Sequence, residues 1–279
     1  MLFIPGNNPG MLQNAALFKS DSIIFDLEDA VSLDEKDSAR ILVASLLRTF
    51  DFSSIERVVR VNQMDSPWWR EDIEQIALAG VDTILIPKAD QEAMVRADAL
   101  LNELTVKQGI DLDHIQLMAL IETASGVEYA NDIVTASERI TGVLFGGEDY
   151  TADLGIRRTR EGGELAYARA RISNLCHAET LSFIDTPFAD TDDVAGLIED
   201  CKTGLQMGAT GKAAINPRQI KHIHKVFSPS EQEIAWANGI MRGWQRAKAE
   251  GKGVFSLNGK MVDAPIILRA QTILDKLND

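Results

Sequence analysis

Eight short apolar runs recur along the chain, most of them without polar alternation, and helix-like stretches separate them. The runs fall at residues 2–4, 22–26, 58–61, 83–87, 116–121, 140–145, 181–185 and 211–215. A strand with one wet face alternates polar and apolar residues, whereas an unbroken apolar run fits a parallel strand covered on both faces. Between the runs, apolar residues repeat at helical spacing: Ala39, Leu42, Val43, Leu46, Leu47 and Phe50; Leu165, Ala168, Ile172 and Leu175; Val194, Leu197, Ile198, Cys201 and Leu205. Ser32 and Glu35 read as a capping box opening the first of these helices. Strand followed by helix, eight times over, predicts an α/β chain folded as a (β/α)8 TIM barrel, and 279 residues suit one such unit of about 250. A doubly wound open sheet is the alternative, but no G-x-G-x-x-G follows the first strand.

The alternation stops after the eighth run. Residues 230–248 read as a helix opened by a Ser230/Glu233 capping box. Gly251 and Gly253 form a hinge, residues 254–257 a short strand, Asn258-Gly259 a turn, and residues 264–277 a last helix. The expected division is a barrel over 1–228 and a helical C-terminal appendage over 229–279, placed to cover its own active site or a neighbour's.

Charge and composition narrow the function. A formal net charge of −14 disfavours nucleic acid and anionic membranes as partners. No apolar run approaches the roughly 20 residues that span a bilayer, and the first residues lack the basic start and apolar core of a signal peptide. The sequence opens almost directly on strand-like residues, which suggests native residues upstream of Met1. Cys176 and Cys201 each fall in a helix-like stretch and read as reduced core thiols, pointing to the cytoplasm. His222 and His224 have no third histidine or cysteine near them and read as helix-end residues, not zinc ligands.

In a barrel, chemistry sits where the strands end. Run by run, those ends carry Asp26-Leu27-Glu28-Asp29, Arg60 with Asn62, Pro87-Lys88, Glu122, Gly146-Gly147-Glu148-Asp149, Asp185 and Asn216. Unpaired charge is costly to bury, so this set is expected to converge on one mouth. Carboxylates outnumber bases there and cannot all stay ionised without a cation; a hard divalent ion, Mg²⁺ or Mn²⁺, resolves the excess. Glu122 and Asp149 end adjacent strands and can meet one ion, or else make barrel-mouth salt bridges. Glu28 and Asp29 either orient metal-bound water as outer partners or cap the next helix. Arg60, projecting from Val-Val-Arg-Val-Asn, offers a planar fork for a substrate carboxylate; an ion pair with Glu28 or Asp29 is the competing reading, and the two are compatible. Lys88 at a strand end raises Schiff-base chemistry, against the plainer reading of a solvated loop lysine.

These motifs, in this order and spacing, resemble the citrate lyase and malyl-CoA lyase aldolase-like family, and its citrate lyase beta branch in particular. The resemblance rests on Leu2-Phe3-Ile4-Pro5-Gly6-Asn7, Phe25-Asp26-Leu27-Glu28-Asp29-Ala30-Val31, Val59-Arg60-Val61-Asn62, Leu120-Ile121-Glu122, Gly146-Gly147-Glu148-Asp149-Tyr150, Ile215-Asn216-Pro217-Arg218-Gln219-Ile220 and Ser256-Leu257-Asn258-Gly259-Lys260-Met261-Val262-Asp263. It implies a (β/α)8 barrel, Mg²⁺ held by Glu122 and Asp149, substrate bound by Arg60 and at the metal by Glu122, and main-chain donors near Gly147 and Glu148. It also implies that Asp263 moves a proton in its own or a neighbouring subunit's site; the plainer reading of Asp263 is an N-cap for the last helix. Family members usually carry an arginine or basic pair just before the first strand, and this sequence starts without it.

The implied reaction is retro-aldol cleavage of a citryl thioester, carried on an acyl carrier protein, to oxaloacetate and an acetyl thioester. The implied partners are citrate lyase alpha and gamma (acyl carrier) subunits, in a homo-oligomer. Two other readings stand beside it: a free-standing lyase or thioesterase acting on citramalyl-CoA or malyl-CoA, and a non-catalytic scaffold subunit. Arg157-Arg158-Thr159-Arg160 is a basic stretch that offers a carrier protein a dock, or else a set of solvated loop charges.

Overall fold

A computed structural model of the chain describes residues 1–52 and 55–277. All eight expected strands form: β1 (Leu2–Pro5), β2 (Ser22–Asp26), β3 (Glu56–Arg60), β4 (Thr83–Ile86), β5 (Gln116–Ile121), β6 (Ile140–Phe145), β7 (Ser182–Asp185) and β8 (Gly211–Lys212). They pair in sequence order and in parallel. A parallel bridge from Leu2 to Ala214 joins the two ends, with Phe3 N donating to Ala214 O at 2.9 Å and Ala214 N to Met1 O at 2.8 Å. The barrel is therefore a (β/α)8 barrel with β8 reduced to its shortest form.

One residue or two from each strand fills the interior: Phe3, Ile24, Val58, Leu85, Met118 with Leu120, Leu144, Ile184 and, just past β8, Ala213. Because side chains alternate across a strand, this layer fixes parity all round. Residues two further on, toward the C-terminal ends, point inward again, and their neighbours face the helices.

The helices bury the stripes expected of them, including Val43, Leu46 and Leu47 in the helix Lys36–Thr49 and Ala168, Ile172 and Leu175 in Ala166–Ala178. The capping box at Ser32 does not form. A 3-10 turn, Leu33–Glu35, precedes the helix, and the Glu35 carboxylate accepts instead from Asn7 Nδ2 (2.7 Å) and Ser32 Oγ (3.0 Å). Both cysteines are buried free thiols, and burial pushes Cys176 up to about 12 and Cys201 to about 11. Among the described residues no helix is long and apolar enough to cross a membrane.

The chain divides into two compact units, Met1–Ile223 and His224–Asp279, so the division comes within the helix Pro217–Phe227 rather than at 228/229. The second unit consists of the helix Glu231–Ala249, a hairpin of β9 (Phe255–Leu257) and β10 (Lys260–Val262), and the helix Ala264–Asp275. Its core is Ala237, Ile240, Val262 and Ala270. Ser230 and Glu233 make the expected capping box. Asn258 and Gly259 both take positive φ (51° and 76°), the conformation a two-residue hairpin turn requires.

Candidate functional site

Interior parity carries Asp26, Arg60, Glu122, Gly146 and Thr186 into the barrel mouth, each two residues beyond a member of the interior layer. Asp26 and Arg60 are register partners on β2 and β3. The guanidinium closes on Asp26 as a fork, with Nε to Oδ1 and Nη2 to Oδ2 both at 2.7 Å. Its third nitrogen, Nη1, lies 3.0 Å from Glu28 Oε2 and 3.2 Å from Asp29 Oδ2, and Phe3 lies beneath the group with its ring centre at 5.2 Å. Burial works against the Arg60 charge, but the bond to Asp26 and the fields of Glu28 and Asp29 more than offset it, so its pKa rises. The arginine is thus fixed in place, with all three of its nitrogens set against carboxylates.

The loop after β2 is tied from below. Lys36 is buried and donates to Leu27 O (2.9 Å) and Glu28 O (2.7 Å), while Asp26 accepts the Glu28 and Ala30 amides. Glu28 ends up buried, with Oε1 accepting from Gln63 Nε2 at 2.8 Å. Burial raises Glu28 to about 7; Arg60 opposes the rise and Asp29 and Asp26 add to it.

Glu122 directly follows β5 and is buried. Lys88 takes a left-handed backbone (φ 44°), and this strained turn aims its N–H at Glu122 Oε1, 2.8 Å away. The contribution of Lys88 to Glu122 is therefore its amide. Burial raises Glu122 to about 8; the Lys88 amide pulls the other way, Asp149 and Glu28 push it up further, and Arg60 lowers it. Gly146 is the residue that leaves room for this carboxylate: a Cβ there would lie 2.6 Å from Glu122 Cβ and 2.7 Å from Oε2. Asp149 stands exposed in the first turn of the helix Gly147–Asp153.

Glu122, Asp149 and Glu28 thus share one electrostatic neighbourhood in which a buried carboxyl stays protonated near neutral pH unless a cation joins it. The donors are all oxygen, which suits a hard divalent cation. Among the described residues no three His, Cys, Asp or Glu side chains close around a point; a magnesium ion held by one or two carboxylates takes its other positions from water and substrate. Two clefts of about 390 and 350 Å³ flank the Gln63-Met64-Asp65 loop at this rim, one beside Glu28, Lys36 and Trp68, the other beside Pro87, Lys88 and Arg96.

Several expected residues are engaged by other partners. The Gly147 amide, expected as a donor to substrate, is committed to Thr186 Oγ1 at 2.8 Å; the Glu148 side chain pairs at 3.5 Å with Arg158. Asp185 does not reach the mouth. Its parity turns it toward the helices, where it meets Arg169 (2.8 Å) and Lys212 (2.9 Å), which also share Asp200 (2.6 Å each). Asn62 turns to Asp72, which accepts its Nδ2 at 2.7 Å and is held by Arg40 at 3.1 Å. The basic stretch is largely neutralised as a dock: Arg158 pairs with Glu164 (2.9 Å) and Arg160 with Asp193 (2.6 Å). Asp263 caps the helix Ala264–Asp275, accepting from Ile266 N at 3.4 Å, with Pro265 in the first turn.

Three functional features went unnoticed in the sequence: Asp26 as the holder of Arg60, Gln63 as the partner of Glu28, and Thr186 behind the glycine pair. Strand parity would have found Asp26 and Thr186, since both lie two residues past an interior position. Gln63 sits in a loop, where no periodicity points.

Comparison with known proteins agrees with this architecture. Residues 1–217 match the model of the HpcH/HpaI aldolase/citrate lyase family. The citrate lyase subunit beta of Leuconostoc mesenteroides subsp. cremoris is 43% identical over all of this chain and 92% of its own length. A (3S)-malyl-CoA thioesterase of Cereibacter sphaeroides is 36% identical over 99% of this chain and 93% of its own. Among solved structures, protein CitE from Mycobacterium tuberculosis, in complex with magnesium, acetoacetate and coenzyme A, superposes with a TM-score of 0.81 at 28% identity, covering 100% of this chain and 97% of that one.

Proposed function

Since the chain belongs to the HpcH/HpaI aldolase/citrate lyase family, we propose that it is a magnesium-dependent carbon–carbon lyase that cleaves a citryl thioester to oxaloacetate and an acetyl thioester, as a citrate lyase beta subunit. The observation that carries this reading is the convergence on one barrel mouth of a carboxylate-clamped arginine, Arg60 at the end of β3, and a buried carboxyl raised to about 8, Glu122 just past β5. Full-length similarity to a citrate lyase subunit beta supports the substrate class.

Glu122 and Asp149 would hold Mg²⁺, supported by their oxygen-only chemistry and by the magnesium complex of the M. tuberculosis relative; Mn²⁺ suits the same donors. The ion supplies Lewis acidity toward the C3 oxygen of the substrate. The rest falls to the protein. Arg60, held immobile by Asp26, Glu28 and Asp29, presents its Nη edge to a substrate carboxylate and orients C3 for cleavage. The C3 hydroxyl gives up its proton to water, the bond from C3 to the methylene carbon of the thioester arm breaks, and C3 becomes the ketone of oxaloacetate. The bonding pair passes to the carbon next to the thioester, which must take a proton. Asp263 is the proposed acid, in its own or a neighbouring subunit's site. With the Gly147 amide committed to Thr186, the Glu148 amide is a proposed donor in that turn for the developing negative charge. The proposed partners are citrate lyase alpha and gamma (acyl carrier) subunits in the cytoplasm, with further copies of this chain.

The similarity to a malyl-CoA thioesterase over nearly the whole chain favours a second reading, a free-standing enzyme acting on a CoA thioester. One assay separates the two. The purified chain is offered the citryl group on an acyl carrier protein and on CoA, and Mg²⁺-dependent oxaloacetate release is followed. A strong preference for the carrier is expected; preference for CoA moves the protein to the second reading, and no release from either overturns the lyase proposal for the isolated chain.

A further inference from the structure

The turn that carries Asp149 is wedged between two side chains. On the β5 side, Gly146 lies against Glu122, so close that a Cβ would meet it at 2.6 Å. On the β7 side, Gly147 lies against Thr186, where a Cβ would meet Oγ1 at 2.9 Å and Cγ2 at 3.2 Å. Across this second contact the Gly147 amide donates to Thr186 Oγ1 at 2.8 Å. A buried amide must find an acceptor, and here it finds one on the neighbouring strand end, which makes the position of the turn depend on Thr186.

Thr186 is itself fully buried and anchored. Its carbonyl accepts from Lys212 Nζ at 2.6 Å, and Lys212 is fixed by Asp185 (2.9 Å) and Asp200 (2.6 Å), the two carboxylates that also hold Arg169. No step of the proposed reaction uses this buried cluster. We propose that Thr186 is a positioning residue for the metal site: with Lys212 behind it, it sets the turn Gly146-Gly147-Glu148-Asp149 and thereby the place of Asp149 relative to Glu122. This rests on the reading of Asp149 as a metal ligand.

The test compares Thr186→Val, which keeps the shape and loses the acceptor, with Thr186→Ser, which keeps the acceptor. Mg²⁺ alone is titrated calorimetrically into each full-length chain, and thermal unfolding is followed in chelator. Loss of an outer partner of a metal site commonly costs about tenfold to a hundredfold in metal affinity. That weakening is expected for Thr186→Val, with Thr186→Ser restoring affinity to within about threefold of the parent. Unaltered Mg²⁺ affinity in Thr186→Val, with or without a lower melting temperature, overturns the proposal, because a merely structural role would move only the melting temperature. Should Thr186→Val fail to fold, Gly147→Ala presses on the same contact from the other side; the same weakening is expected, and unaltered affinity overturns the proposal. Asp149→Asn separates the two claims: if it leaves Mg²⁺ affinity intact, the metal-ligand reading falls; if it removes binding while Thr186→Val does not weaken it, only the positioning role falls.

Discussion

Two of the barrel's buried charge clusters are built on opposite plans. Around Arg169 the charges balance: Asp185 and Asp200 each bond both Arg169 and Lys212, at 2.6 to 2.9 Å. The neighbouring bases pull Asp200 below the usual carboxylate range even though burial opposes it. Around Arg60 they do not balance. One guanidinium and the buried Lys36 ammonium stand against Asp26, Glu28 and Asp29, and nearby Glu122 has an amide where the other cluster would place a cation. There burial wins, and Glu28 and Glu122 rise to about 7 and about 8. Both clusters sit at strand ends, so position alone does not mark an active site. An uncompensated acid excess is what separates the two, because it is a standing demand for a cation that the balanced cluster has already met internally.

Breaking each cluster should therefore have different consequences. Arg169→Met leaves two buried carboxylates to one lysine. Removing one partner of a buried ion pair typically costs about 3–5 kcal/mol, which lowers the melting temperature by on the order of 10 °C, while turnover per folded molecule falls far less. A melting temperature within about 2 °C of the parent would show that the balanced cluster is not load-carrying.

A smaller effect of opposite sign is expected at the mouth. The pKa of Glu122 is about 8 when folded against an ordinary 4.5, so the metal-free folded protein keeps a proton that the unfolded chain has released. Stability is then full below about pH 4.5 and is lost as pH rises toward 8. In chelator, Glu122→Gln should be more stable than the parent at pH 8.5 by on the order of 2–4 kcal/mol, with the gap closing toward pH 5. Denaturant titrations across that range measure it, and parallel curves for the two proteins would remove the acid excess from the account.

The fold is legible because its signal is redundant: most strands are continuous apolar runs and the helices between them carry stripes, and an error of a residue at either end changes nothing. The site was legible only in part. Arg60, Glu122 and Asp149 stand at the right strand ends, but reading strand ends without parity swept in Asp185, one residue out of phase with Ile184 and so turned to the helices. The same omission leaves Asp26 without its role beside Arg60 and passes over Thr186. Lys88 suggests amine chemistry, whereas its role in the fold is a backbone one, in a left-handed turn that no side-chain pattern announces. The glycine pair invited a reading as open main-chain donors; in the fold it is a spacer between Glu122 and Thr186.

The most direct test of the central claim, that Glu122 and Asp149 form a metal-dependent lyase site, is oxaloacetate release from a citryl thioester by the parent chain, Glu122→Gln and Asp149→Asn, each in Mg²⁺ and in saturating chelator. Either substitution, or the chelator, should cost at least about a thousandfold in turnover while the barrel stays folded. Release at the parent rate in chelator, or by Glu122→Gln, would contradict the account.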